Sequence, residues 1–226
     1  MELEITLPDE IAVMTLPGAA LFPQALMPLH IFEPRYRTML RDVLASHRLF
    51  AVAGLDESPL AAGRFEPPYR IATVGIVRAC QINDDGTSNL LLQGLTRVEA
   101  SSILSEEPYR RIGIRPLVSA PGANPAENLR ARAVLARLLS ARHRLTGRAP
   151  DDLLRFLRTV DDPEAFVDIA AFSLCDDPGL KQTLLETLDV AARLRLFGEH
   201  LRRQIDRHKL AHRLQGGLAN EDIANN

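Results

Sequence analysis

The chain has 226 residues, of which 46% are hydrophobic and 25% charged, with a formal net charge of −2. This balance is typical of a folded globular protein and excludes a disordered polyelectrolyte. No apolar run approaches the roughly 18 residues that span a bilayer, and the acidic N-terminus does not resemble a signal peptide. The only two cysteines, Cys80 and Cys175, lie in apolar surroundings, which favours free thiols and a cytoplasmic location.

The first half of the sequence predicts mainly β-strands. After a strand at 11–16 comes an apolar stretch that contains four prolines, LPGAALFPQALMPLHIFEPRY at 16–36. Proline fixes φ and lacks an N–H, so these prolines mark where strands and helices stop. We predict a short buried strand at 26–32. Pro34 suits the first turn of a helix, and an apolar stripe at helical spacing extends that helix to about His47.

A long hairpin is predicted from strands at 71–82 and 90–104, joined by Asn-Asp-Asp-Gly. Asp-Gly is a strong hairpin signal because glycine accepts the positive φ of a tight turn. Gly75 and Gly94 lie inside the two strands, where a glycine often marks a bulge or a close backbone approach. We therefore expect a strongly bent, barrel-like sheet that is closed by a strand at 109–118.

The second half predicts only helices. Its first helix begins with Asn124 as N-cap and Pro125 at the first position, after a linker at 119–125. Three more helices begin near Asp151, Asp162 and Asp177, and a last one ends near Leu214. The predicted domains are a β lobe at 1–118, a helical bundle lobe at 119–214 and a disordered tail at 215–226.

Local motifs for catalysis or metal binding are missing from the sequence. It contains no P-loop, no G-x-S-x-G nucleophile elbow, no H-E-x-x-H and no Cys/His pair at zinc spacing. We therefore predict no catalytic residues, no cofactor and no metal site, and a protein that is not an enzyme.

The last helix combines a basic surface with an apolar seam. Its arginines, among them Arg202, Arg203 and Arg207, outnumber its acidic residues. This pattern favours a solvated helix face with some arginines paired to the acidic lobe, and the alternative is a surface for an acidic partner or RNA. The net charge of −2 and the absence of tryptophan oppose RNA binding. The seam must be covered by the helical bundle itself or by another chain, so an oligomer through this helix stays open.

Three stretches together resemble the N-terminal, substrate-binding region of ATP-dependent Lon proteases. They are LPGAALFPQALMPLHIFEPRYRTMLRDVL (16–44), YRIATVGIVRACQINDDGTSNLLLQGLTRVEA (69–100) and KQTLLETLDVAARLRLFGEHL (181–201). The resemblance implies an α+β fold, in which a PUA-like β pseudo-barrel lobe with one helix precedes an α-helical bundle. The implied β lobe is also similar to the corresponding β domain of cereblon. Lon continues into ATPase and protease domains, whereas this chain ends at Asn226, so we expect a stand-alone form without either activity.

The resemblance and the proline-rich stretch lead to one functional hypothesis. We expect a non-catalytic module that binds exposed or unfolded polypeptide segments, for a protease or chaperone, through strand-edge pairing and apolar contacts. The candidate contact residues are Phe22, Met27, His30, Phe32, Glu33 and Tyr36. Core packing is the competing interpretation for all of them. One alternative is RNA binding through the PUA-like fold. Another is a small-ligand-binding protein or enzyme at the cleft between the two lobes, using His30, Glu33 or Arg35. No membrane partner is predicted.

Overall fold

A computed structural model of the protein describes residues 6–57 and 65–216. The tail predicted at 215–226 lies outside them, except for the two residues that end the last helix. The elements are β1 (Glu10–Leu16), β2 (Leu26–Ile31), α1 (Pro34–Leu44), β3 (Leu49–Gly54), β4 (Ile71–Ile82), β5 (Ser88–Ser105), β6 (Arg111–Pro116), α2 (Pro125–Thr146), α3 (Asp151–Thr159), α4 (Pro163–Leu174), α5 (Pro178–Glu186) and α6 (Val190–Gly216). This order confirms the α+β prediction.

Five of the six strands close into a barrel, and the sixth, β2, is attached to it by pairing with β5. Their order is β2-β5-β4-β3-β1-β6, and β5 also pairs with β6, so five strands close into a ring. The 18 residues of β5 make this closure feasible. Its first part lies between β2 and β4, and its second part pairs with β4 and β6. This is the barrel-like sheet that the strand glycines predict and the pseudo-barrel that the resemblance implies.

Two glycines allow the barrel to bend and its strands to approach closely. A Cβ on Gly94 would lie 2.1 Å from the carbonyl oxygen of Phe22, and one on Gly75 would lie 2.6 Å from Cγ of Leu92. The register between β4 and β5 also shifts between Val74 and Gly75. Both observations confirm the prediction of a bulge or a close backbone approach at these glycines.

A buried ion pair joins α4 to the barrel. Arg97 on β5 donates two hydrogen bonds of 2.8 Å to the carboxylate of Asp168, and its Nε donates to the carbonyl of Leu185 at 2.9 Å. Both charged side chains are almost inaccessible to solvent. An isolated charge would be costly in this apolar setting, so each partner depends on the other.

The chain divides into two compact units. The first contains the barrel up to Ala120 together with Val167–Asp189, and the second contains Pro121–Phe166 and the chain from Val190 onward. This division differs from the predicted one, which placed all of 119–214 in the helical lobe. The reason lies in contacts such as the Arg97–Asp168 pair, which local sequence patterns do not reveal.

In the second unit, α2 and α6 run side by side in the same direction. Arg142 near the end of α2 donates to Gln204 at 3.1 Å, while Pro121 before α2 accepts from the backbone of Ala191. The apolar seam of α6 is buried within the chain from Val190 to Ile205. None of the helices within the described ranges combines the length and apolar character that a membrane span requires.

Candidate functional site

A tight turn positions the start of β2. The backbone N–H of Ala25 donates to the carbonyl of Phe22 at 3.1 Å, with Pro23 and Gln24 between them. Gln24 has a φ of 65°, the positive value required at the third position of a type II turn. Its N–H donates to the carbonyl of Gly94, whose own N–H donates to the carbonyl of Ala25, both at 2.9 Å. This is the hydrogen-bond pattern of a G1 bulge.

One edge of β2 is open. In an antiparallel ladder, every second residue exchanges backbone hydrogen bonds with the neighbouring strand. Ala25 is bonded to Gly94, so Met27 and Leu29 also bond to β5, and the backbone groups of Leu26, Pro28 and His30 point away from it. In the part of the chain that the structure describes, β2 pairs only with β5. The edge therefore presents the N–H groups of Leu26 and His30 and three carbonyl oxygens. Pro28 has no N–H to lose there, which is why a proline fits this strand.

The side chains at these alternate positions are exposed as well. On β2 the side chains of Leu26, Pro28 and His30 are exposed, whereas those of Met27 and Ile31 are buried. Pro28 lies opposite Leu91 of β5, which is partly exposed. An apolar strip therefore follows the open backbone edge.

An aromatic pair ends the strip. The rings of His30 and Phe32 stack with their centroids 6.0 Å apart and an angle of 23° between their planes. Nδ1 of His30 lies 2.8 Å from Oδ1 of Asn89 on β5, which holds the imidazole in place. Phe32 is 60% exposed, so its ring offers apolar area that a partner can bury. We call Leu26, Pro28, His30 and Phe32 the β2 surface.

The six candidate contact residues separate into two groups. Phe22, Met27 and Tyr36 are buried in the core, and the Tyr36 hydroxyl lies within 3.4 Å of the backbone N and O of Thr15. For these three, core packing is what the structure shows, because none of them reaches the surface. Of the others, His30 and Phe32 lie together on the β2 surface.

Glu33, the sixth candidate, belongs to an ion-pair cluster. Nε of Arg35 donates to Glu33 at 2.9 Å, and its two terminal nitrogens donate to both oxygens of Glu66 at 2.6 and 2.9 Å. The hydrogen bonds between Arg35 and Glu66 lower the pKa of the Glu66 carboxyl group and raise the pKa of the Arg35 guanidinium. The guanidinium also lies 4.5 Å from the centre of the Tyr36 ring. These charges compensate one another, which favours a structural role over a catalytic one.

Sequence reasoning missed Leu26 and Pro28 as surface residues. The signal was present, because Leu26, Pro28 and His30 share one face of a period-two strand. A proline inside a strand also indicates an edge position. What the sequence could not show is that β5, rather than another strand, covers the opposite edge.

Comparisons with known proteins agree on one family. The model of the ATP-dependent protease La (LON) substrate-binding domain matches residues 10–203. The Lon protease of Desulfosudis oleivorans is 24% identical over 219 residues, which cover 94% of this chain and 26% of the relative. The chain thus spans about a quarter of the length of that curated relative.

Solved structures show the same fold. The N-terminal domain of the Mycobacterium avium complex Lon protease superimposes with a TM-score of 0.68 at 16% identity, covering 85% of this chain and 98% of that one. A Lon N-terminal domain protein from Xanthomonas campestris gives a TM-score of 0.58 at 21% identity, covering 82% and 95%. At these identities the likeness is one of fold.

Proposed function

Because the chain belongs to the family of ATP-dependent protease La (LON) substrate-binding domains, we propose that it binds exposed or unfolded polypeptide segments and does not itself cleave them. The family supports a substrate-binding role, and the matched region is the substrate-binding domain rather than a protease domain. The observation that carries the finer proposal is the open edge of β2 beside an exposed apolar strip. The bound segment would then pass to a protease or chaperone.

The proposed binding mode is strand addition. A segment beside β2 accepts hydrogen bonds from the N–H groups of Leu26 and His30 and donates to the outward carbonyls. Pro28 offers a carbonyl but no donor, so the ladder on this edge is incomplete. Backbone pairing of this kind tolerates many sequences, which suits a receptor for unfolded chains.

Apolar contacts provide the remaining affinity. Burying an exposed side chain the size of Phe32 contributes about 1.5–3 kcal/mol, whereas a surface ion pair contributes about 0–1 kcal/mol and is screened by salt. Binding at the β2 surface should therefore depend on alternate apolar residues in the segment. It should change little between low and moderate salt.

Two variants test this mode with a fluorescently labelled, permanently unfolded polypeptide and fluorescence anisotropy. Phe32→Ser removes exposed apolar area. His30→Pro removes an outward N–H but no backbone hydrogen bond to β5, and it is compared with His30→Ala, which loses the same side-chain contacts to Asn89 and Phe32. Each test variant should weaken binding about tenfold, with an unchanged melting temperature as the check on folding. Phe156→Ser is the matched control, because Phe156 is similarly exposed at 52% but lies on α3. Unchanged affinity in both test variants, or an equal loss in the control, contradicts the proposal.

RNA binding is the second candidate, and the exposed basic face of α6 favours it. Arg202, Arg203 and Arg207 are all exposed. Binding to phosphates would weaken steeply with salt, in proportion to the number of phosphates contacted. RNA binding would be favoured over polypeptide binding if the affinity for RNA falls steeply with salt, if that dependence disappears when these three arginines are replaced by glutamine, and if Phe32→Ser leaves it unchanged.

A further inference from the structure

A cavity of about 560 Å³ opens between α1 and the hairpin of β4 and β5. Two of its walls differ in chemistry. Arg37 and Arg41 lie one turn apart on α1 and supply a cationic wall, while Leu40 and Leu44, with the same spacing, supply an apolar one. Ile82 at the end of β4 extends the apolar wall and is 70% exposed. Cationic and apolar surface therefore meet within one small cavity.

The hairpin holds Arg37 at the cavity. Gly86 has a φ of 77°, and a Cβ there would lie 2.0 Å from Nη2 of Arg37, so the guanidinium rests directly on the glycine. Within residues 6–57 and 65–216, no carboxylate lies within ion-pair distance of Arg37. Asp85 is its acidic neighbour: the pKa of Asp85 is lowered first by hydrogen bonds from the hydroxyl and backbone of Thr87, at 2.7 and 2.9 Å, and to a smaller extent by the charge of Arg37.

Arg41 is only weakly neutralised. Its Nε lies 3.3 Å from the carboxylate of Asp42, and the Arg41 side chain is 74% exposed. The other oxygen of Asp42 accepts a hydrogen bond from the hydroxyl of Tyr109 at 3.1 Å. Two guanidinium groups thus line the cavity, each with one exposed acidic neighbour, Asp85 for Arg37 and Asp42 for Arg41, and their fork geometry suits a carboxylate.

The cavity requires a carboxylate and an apolar group close together on its ligand. In an extended segment, neighbouring side chains point to opposite faces, and side chains that share a face are two residues, or about 6.5 Å, apart. The last residue of a polypeptide holds the two groups closer, because its α-carboxylate and its side chain share one Cα. We propose that this cavity binds an apolar C-terminal residue, with its carboxylate at Arg37 and Arg41 and its side chain against Leu40, Leu44 and Ile82.

This inference rests on the proposed polypeptide binding but uses a different surface, so the two can be tested separately. The first probe is N-acetyl-L-leucine, followed by NMR of backbone amides in the full chain. It should shift amides in 37–44 and 82–88, whereas N-acetyl-L-leucinamide, which lacks the charge, should not. Equal shifts from both compounds, or none from either, would overturn the assignment.

The second probe is a labelled peptide that ends in leucine, compared as free acid and as C-terminal amide. The free acid should bind about tenfold more tightly, as expected for a charge-assisted pair. Arg37→Gln and Arg41→Gln should each abolish that difference, and Ile82→Ser should weaken the free acid. Arg130→Gln is the matched control because it removes the same charge from an exposed position on α2.

The pattern of results separates the two proposals. If both peptide forms bind equally and Phe32→Ser weakens both, the cavity assignment fails and polypeptide binding at the β2 surface stands. If the acid preference persists in Arg37→Gln and Arg41→Gln, the assignment to this cavity also fails. If the acid preference depends on the two arginines while Phe32→Ser has no effect, the cavity assignment stands and the β2 surface proposal fails.

Discussion

Gly94→Ala is the most informative change for the link between the barrel and the β2 surface. The added Cβ would lie 2.1 Å from the carbonyl oxygen of Phe22 and 2.9 Å from its carbonyl carbon. Neither distance is compatible with van der Waals contact, so the turn before β2 must move away from β5. That movement breaks the two hydrogen bonds that join Gly94 to Gln24 and Ala25.

The magnitude follows from these contacts. Two hydrogen bonds at about 0.5–1.5 kcal/mol each, together with about 1–3 kcal/mol for overpacking near a buried phenylalanine, give a loss of about 2–6 kcal/mol in the free energy of unfolding. Because β2 is held by this turn, its amides should also lose protection from hydrogen exchange. Polypeptide binding at the β2 surface should weaken in parallel.

Gly18→Ala is the control for this experiment. Gly18 has a φ of 63° but nothing within 4 Å of an added Cβ, so Gly18→Ala adds backbone strain of about 1–2 kcal/mol without a clash. Gly94 does not have a positive φ, so Gly94→Ala adds the clash without that strain. Urea unfolding and hydrogen exchange measure both variants. If Gly94→Ala is as stable as Gly18→Ala, or if β2 keeps its protection, the steric reasoning is refuted.

Two further predictions concern charge. Arg97→Met should destabilise the protein by about 3–5 kcal/mol, because the buried Asp168 carboxylate then loses the charge and the two hydrogen bonds of Arg97. The double variant Arg97→Met, Asp168→Leu should recover much of that loss in urea unfolding, and no recovery would contradict the pairing argument. Hydrogen bonds from Arg35 lower the pKa of Glu66 below its ordinary value near 4.5, so the ionised carboxylate stabilises the fold above that value and the stabilisation disappears as pH falls through the lowered pKa. The stability difference between the unmodified protein and Glu66→Gln should therefore be constant near neutral pH and shrink below about pH 4; a difference that is independent of pH, or one matched by Glu57→Gln, would contradict it.

Several local features of the fold were predictable from the sequence. Asn124 caps α2 by accepting from the backbone of Glu127 at 2.9 Å, and Gly147 ends that helix with a φ of 64°. The hairpin of β4 and β5 also forms where the Asp-Gly turn indicates. Caps, turns and hydrophobic period are encoded within a few neighbouring residues, so they can be recognised without knowledge of the fold.

The tertiary structure decided what those elements face. The sequence marks residues 16–36 as special, but only the pairing of β2 with β5 separates exposed His30 and Phe32 from buried Phe22 and Tyr36. Likewise, Arg97 and Asp168 are 71 residues apart in the sequence, and their pairing attaches the helical segment Val167–Asp189 to the unit that contains the barrel. Such partners meet only when distant segments pack together, and a local pattern shows that a face is apolar without showing what covers it.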